Sequence, residues 1–140
     1  MTSLIVDASV AAKWLLAEAD SDRAAALFQA WIAGRIGLLA PEILPAEVCS
    51  SLWKRVMRGL LPAAEARRLQ SQFSNLGIPL HPIAGLAGDA FDMALQFRHS
   101  VYDGLYLALA RETGAEFITA DEKLFHLASP GTTRLLREWK

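Results

Sequence analysis

Short apolar runs alternate with longer segments of helical period along this chain, and that alternation leaves few folds open. Leu4-Ile5-Val6 ends in Asp7 and suits a buried strand followed by a turn. Ala8 to Ala19 then carries Val10, Trp14 and Leu15 on one helical face. Asp20-Ser21-Asp22 is a stop and restart whose side-chain oxygens suit an N-cap. Ala24 to Ala33 repeats the helical pattern through Leu27, Phe28, Trp31 and Ile32, and Gly34 ends it. Ile36 to Ala40 is a second strand closed by Pro41.

Pro45 is placed for the first turn of a helix running to about Arg58, with Glu47 in that turn and Val48, Leu52, Trp53 and Val56 as its apolar positions. Pro62 opens another helix, to about Leu76. Ile78 to Ile83 is a strand candidate weakened by Pro79 and Pro82. Leu86 to Phe97 and Tyr102 to Thr113 read as helices, the second with Asp103 at its start and Gly114 beyond its end. Glu116 to Thr119 is a fourth strand, followed directly by Asp121. Glu122 to Ala128 is a short helix, Pro130-Gly131 a turn, and Thr132 to Leu136 a last strand. Strands separated by helices imply a parallel sheet of four to five strands with helices on both faces, an α/β domain of three layers. The 140 residues fit one such domain, spanning 1–140.

Bulk properties remove several function classes. The single cysteine, Cys49, excludes an intramolecular disulfide and a thiolate metal cluster. The net charge of −1, from 14 basic and 15 acidic residues, gives no bulk attraction to nucleic acid but does not exclude a nucleic-acid binder, because metal ions and local Arg clusters can offset a near-neutral total. Asp7 and Lys13 interrupt the early apolar stretch, and no apolar run approaches the ~18 residues of a membrane span, so the chain reads as soluble and cytoplasmic, without a membrane partner. The hydrophobic fraction of 53%, with four tryptophans, is high for a small domain and points to a dimer or a partner protein. No P-loop and no glycine-rich dinucleotide turn is present, and His81, His99 and His126 lack metal-ligand spacing.

Four acids stand apart from the rest. Asp7 ends the first strand, Asp121 follows the fourth, and Glu47 and Asp103 occupy first turns of helices. Open parallel sheets bind ligands beyond the carboxyl ends of their strands, at a topological switch point. If the first and fourth strands are neighbours, Asp7 and Asp121 meet there, and the helices can present Glu47 and Asp103 to the same crevice. Clustered carboxylates repel one another and raise each other's pKa, which a divalent cation relieves. Oxygen-only ligands suit Mg²⁺ or Mn²⁺, the ions of phosphodiester hydrolysis. Each acid also has a structural reading, Asp7 and Asp121 as helix caps and Glu47 and Asp103 as partners of helix macrodipoles, while Ser9 and Thr119 read as turn residues.

The residues also match a known family. The chain resembles PIN domains, and specifically the VapC toxins of toxin–antitoxin pairs. The resemblance is carried by Ile5-Val6-Asp7-Ala8-Ser9-Val10, by Pro41 through Glu47-Val48, by Tyr102-Asp103-Gly104-Leu105-Tyr106-Leu107-Ala108-Leu109-Ala110 and by Phe117-Ile118-Thr119-Ala120-Asp121-Glu122-Lys123-Leu124. It implies a Mg²⁺- or Mn²⁺-dependent endoribonuclease acting on RNA, a homodimer, and neutralisation by a cognate VapB-like antitoxin. Carried over by position, Asp7, Glu47, Asp103 and Asp121 match the acidic quartet and Ser9 and Thr119 its polar assistants. Asp7, Asp103 and Asp121 are expected nearest the metal, with Glu47 partly through water and Glu42 as the rival for its place. Trp14, Leu15, Trp31, Trp53 and Val56 lie on the early helices, where the family binds its antitoxin, although at least half of them also read as ordinary core. Lys13, Lys54, Arg55, Arg58 and Arg98 are candidates for RNA phosphates, with a solvated face as the plainer reading for each. The other readings are a flap-type DNA nuclease, for which the chain is short, and a non-catalytic interaction module.

Overall fold

A computed structural model describes residues 2–128 and 131–140. Its elements run β1 (Thr2–Val6), α1 (Ala8–Leu15), α2 (Ser21–Ile32), β2 (Ile36–Pro41), α3 (Leu44–Met57), α4 (Ala63–Ser74), β3 (Leu80–His81), α5 (Ala87–Phe97), α6 (Val101–Thr113), β4 (Glu116–Thr119), α7 (Glu122–Leu127) and β5 (Thr133–Leu135). Single 3₁₀ turns precede α5 (Ala84–Leu86) and follow β5 (Leu136–Glu138).

The five strands form one parallel sheet in the order β3-β2-β1-β4-β5. The central strand β1 pairs on one side with β2, Leu4 opposite Leu38, and on the other with β4, Ile5 opposite Phe117 and Val6 opposite Ile118. Its Leu4, Ile5 and Val6 are buried because helices cover both faces, which is why this run is uniformly apolar rather than alternating. Strand alternation divides the core: Ile5 and Phe117 pack with α3–α6, while Leu4, Val6, Leu38 and Ile118 pack with Ala24 and Leu27 of α2 and with Leu136. The chain builds β2 and β3 on one side of β1, then returns to place β4 and β5 on the other. The switch point is therefore between β1 and β4, the strands that Asp7 and Asp121 follow.

Several element boundaries differ from the sequence reading. Helix α1 stops at Leu15 instead of Ala19, because Ser21 Oγ donates to the Leu16 carbonyl (3.2 Å) and accepts from Glu18 N–H (2.9 Å), closing a loop in place of another helical turn. That uses the hydroxyl expected as an N-cap. Helix α2 instead begins at Ser21, after Asp20 in the left-handed region (φ 62°) and without a side-chain cap. The strand expected over 78–83 shrinks to Leu80–His81, since Pro79 and Pro82 flank it and neither can donate a ladder hydrogen bond. Pro130 of the expected Pro130-Gly131 turn lies outside the described residues.

One close approach fixes the helix bearing Asp103. A Cβ on Gly104 would lie 2.6 Å from the Ala90 carbonyl oxygen and 3.1 Å from the Ala90 Cα. Only a residue without a side chain lets α6 settle this closely on α5, and Asp103 is the residue before it.

Candidate active site

Asp7 is built into the end of β1 and is 7% exposed. It is the N-cap of α1, accepting from Val10 N–H at 3.3 Å, and both of its carboxylate oxygens are held by hydroxyls. Ser9 Oγ donates to Oδ1 at 2.5 Å and Thr119 Oγ1 donates to Oδ2 at 2.6 Å. Ser9 Oγ in turn accepts from Ala120 N–H (2.9 Å), and Thr119 Oγ1 from Asp121 N–H (3.1 Å). The capping role and the site role of Asp7 thus coexist, because capping uses one oxygen and the hydroxyls reach both. Ser9 and Thr119, placed by sequence as turn residues or assistants, stitch the ends of β1 and β4 together through this carboxylate.

Glu47 sits in the first turn of α3, half-buried, and accepts a 2.6 Å hydrogen bond from the Tyr106 hydroxyl. Asp103, also half-buried, lies in the first turn of α6, whose N-cap Ser100 accepts from Asp103 N–H at 3.0 Å. Asp121 is exposed and caps α7 through Leu124 N–H at 3.0 Å.

Electrostatic coupling runs through this set. Burial pushes Asp7 up to about 6 against the opposing hydrogen bonds of Ser9, Thr119 and Val10, and the Glu47 charge raises it further. Burial is also the main reason the Glu47 carboxyl is held above the usual range; Tyr106 opposes that shift, the Asp103 charge adds to it and Lys54 lowers it. Asp103 is likewise raised, first by burial and then by Asp121, with Ser100 and His99 opposing. Each acid feels the next, from Asp7 to Glu47 to Asp103 to Asp121. Among the described residues, none of the four is in an ion pair, although seven other acid–base pairs form across the chain. Glu42 is exposed in the turn after β2, outside this set.

The donor set suits a hard divalent cation: four carboxylates, two hydroxyls, no thiolate and no imidazole ligand. Among the described residues, no three Asp, Glu, His or Cys side chains already stand close enough to share one ion. Asp7 is locked in place by three hydrogen bonds, whereas Asp121 is exposed and held by its capping bond alone among those described for its carboxylate.

Two residues around this site escaped the sequence reading. Tyr106 holds Glu47, and Ser100 starts α6 and orients its first turn. The signal for Tyr106 was available: it follows Asp103 by three residues, on the same helical face. Ser100 stands three residues before Asp103, the spacing of an N-cap.

The aromatic residues expected on a partner surface divide. Trp14, Leu15 and Trp31 are partly buried against the core, and Trp14 Nε1 donates to the Ala24 carbonyl at 2.9 Å, tying α1 to α2. Val56 is half-buried and Trp53 is 59% exposed; both line an apolar groove between α3 and α4 with Leu52 and Ala66. Met57 and Leu60, at the end of α3 and beyond it, extend the exposed apolar surface. Of the basic candidates, Lys13 and Arg55 pair with Glu18, and Lys54 lies near enough to Glu47 to act on its charge. Among the described residues, no helix is long and apolar enough to cross a membrane.

Comparison with known proteins places this architecture. The family model described as "PIN domain" matches residues 4–130. Ribonuclease VapC3 of Pyrobaculum aerophilum is 35% identical over 124 residues, covering 86% of this chain and 91% of that protein. Among solved structures, PAE2754 from Pyrobaculum aerophilum superposes with a TM-score of 0.71 at 20% identity, covering 97% of this chain and 85% of its own. The VapBC2 structure from Rickettsia felis, bound to a DNA fragment from their promoter, gives a TM-score of 0.68 at 14% identity over 99% of this chain and 100% of the matched chain. The chain belongs to the PIN-domain family and, within it, to the VapC branch.

Proposed function

We propose that this protein is an endoribonuclease that uses a Mg²⁺ or Mn²⁺ ion and serves as the toxin of a toxin–antitoxin pair. The observation that carries this reading is the chain of coupled, unpaired carboxylates at the β1/β4 switch point. The ribonuclease relative supplies the substrate class. Asp7, Asp103 and Asp121 would hold the ion, and Glu47 would act on it partly through water. The ion would activate water and neutralise charge on the attacked phosphodiester. Ser9 and Thr119 keep Asp7 oriented and ionised by donating to both of its oxygens. Glu47, with one oxygen occupied by Tyr106, keeps the other for a proton or a water. Lys54 stands beside Glu47 and His99 beside Asp103, each opposing the rise of that carboxyl.

The purified protein is expected to cleave single-stranded RNA or tRNA with Mg²⁺ or Mn²⁺ present and to stop when EDTA is added, as read on denaturing gels. Flap DNA under the same conditions is expected to remain intact. Cleavage that continued in excess EDTA would remove the metal from the reading, and cutting of flap DNA alone would change the substrate.

The antitoxin, on this reading, covers the α3–α4 groove around Trp53 and Val56, with Trp14, Leu15 and Trp31 supporting the neighbouring α1–α2 surface. A second copy of the chain completes a homodimer. Trp53→Glu places a charge on the exposed part of the groove, whose lining includes none of the four acids. This variant is expected to cut RNA at the wild-type rate while losing at least about tenfold in antitoxin affinity, the scale for a truncated interface hot spot. Titrating the purified antitoxin into the cleavage assay measures both. Undiminished inhibition of the variant would move the antitoxin to another face.

A further inference from the structure

Tyr106 is 1% exposed, yet its hydroxyl ends on a carboxylate of the site. A buried phenol requires a hydrogen-bond partner, and among the described residues Glu47 Oε1, at 2.6 Å, is the one this hydroxyl finds. The ring is held by a stack on Phe117, with centroids 5.4 Å apart and planes inclined by 18°. Phe117 lies in β4, two residues before Thr119, and is opposite Ile5 in β1, two residues before Asp7. Tyr106 is also one helical turn beyond Asp103 on α6. A single side chain therefore ties Glu47 of α3 to the helix carrying Asp103 and to the strands carrying Asp7 and Thr119.

We infer that Tyr106 is a positioning residue that fixes the Glu47 carboxylate for metal binding and cleavage. The inference rests on the metal-site reading above. The hydroxyl engages Oε1 and so distinguishes it from Oε2. It also limits the rotation of a long side chain that α3 alone would leave free. Groups that orient a metal ligand through a hydrogen bond change affinity by about 10–100-fold when removed.

Tyr106→Phe removes the hydroxyl and keeps the ring on Phe117, so no cavity opens. Glu47→Ala removes the carboxylate that the hydroxyl holds. Mn²⁺ binding to the wild type, each single variant and the double variant is measured by calorimetry, with metal-free melting temperatures recorded on the same samples. Tyr106→Phe is expected to weaken Mn²⁺ binding about tenfold in the wild-type background and to have no further effect in the Glu47→Ala background. Cleavage should show the same pattern, with the loss in Tyr106→Phe partly recovered at high Mn²⁺. Wild-type affinity in Tyr106→Phe, or an equal loss with and without Glu47, would overturn the inference while leaving the metal site intact. A wild-type protein that bound no Mn²⁺ would overturn the metal site itself and this inference with it.

Discussion

Asp7→Asn is expected to reduce RNA cleavage by about 10²–10³-fold or more, the scale for losing one preorganised electrostatic group at a reacting centre. The substitution preserves shape and most hydrogen bonding. An amide oxygen can still accept from Val10 N–H and from one hydroxyl, while its NH₂ donates to the other hydroxyl oxygen. What disappears is the negative charge at the one acid whose position is fixed from every side. Asp103→Asn should behave similarly, because Asp103 links Glu47 to Asp121 in the electrostatic sequence. Single-turnover cleavage at saturating Mn²⁺, with circular dichroism to verify folding, measures the effect. A folded Asp7→Asn protein cutting at the wild-type rate would remove Asp7 from the metal and from the mechanism.

The legible part of this molecule was whatever depends on local pattern. The apolar runs of β1 and β4 and the helical segments α3 and α6 all stand where the sequence puts them, because β1 and β4 are short runs buried on both faces and α3 buries Leu44, Val48 and Leu52 one helical turn apart. The pairing of β1 with β4, which the sequence offers only as a condition for Asp7 and Asp121 to meet, is the one the sheet adopts. Less legible was whatever depends on side-chain competition. Nothing in the sequence ranks Ser21 as a loop-closing residue above its use as a cap, so the end of α1 was overestimated. The acids were legible as strand ends and first turns. The contacts that discipline them were not, since Tyr106 and Glu47 are 59 residues apart and meet only through the fold. The same limit applied to the aromatic residues, where helical spacing could not separate Trp14, tied to a carbonyl of α2, from Trp53, left facing solvent.

The second large effect concerns stability, and its sign is opposite to that of activity. Burial raises Asp7 from 3.8 to about 6, so the folded protein binds a proton there more tightly than the unfolded chain does. Stability from this group is fully present below about pH 4, declines through pH 6, and is absent at pH 7.5. The displacement corresponds to about 3 kcal/mol at about 1.4 kcal/mol per pH unit. In metal-free buffer at pH 7.5, Asp7→Asn is therefore expected to melt above the wild type, by roughly 6–15 °C for a domain of this size. The gap should close as pH falls toward 4, where the wild-type carboxyl is protonated. Saturating Mn²⁺ should reverse the ranking at pH 7.5, adding about 4.1 kcal/mol to the wild type at a thousandfold excess over Kd and little to the variant, which lacks the charge. Thermal melts of both proteins between pH 4 and 7.5, with EDTA or Mn²⁺, read all of these terms. Equal stabilisation of both proteins by Mn²⁺ would place the ion elsewhere. A variant less stable than the wild type at pH 7.5 without metal would show that the hydroxyls of Ser9 and Thr119, rather than burial, govern the Asp7 carboxylate.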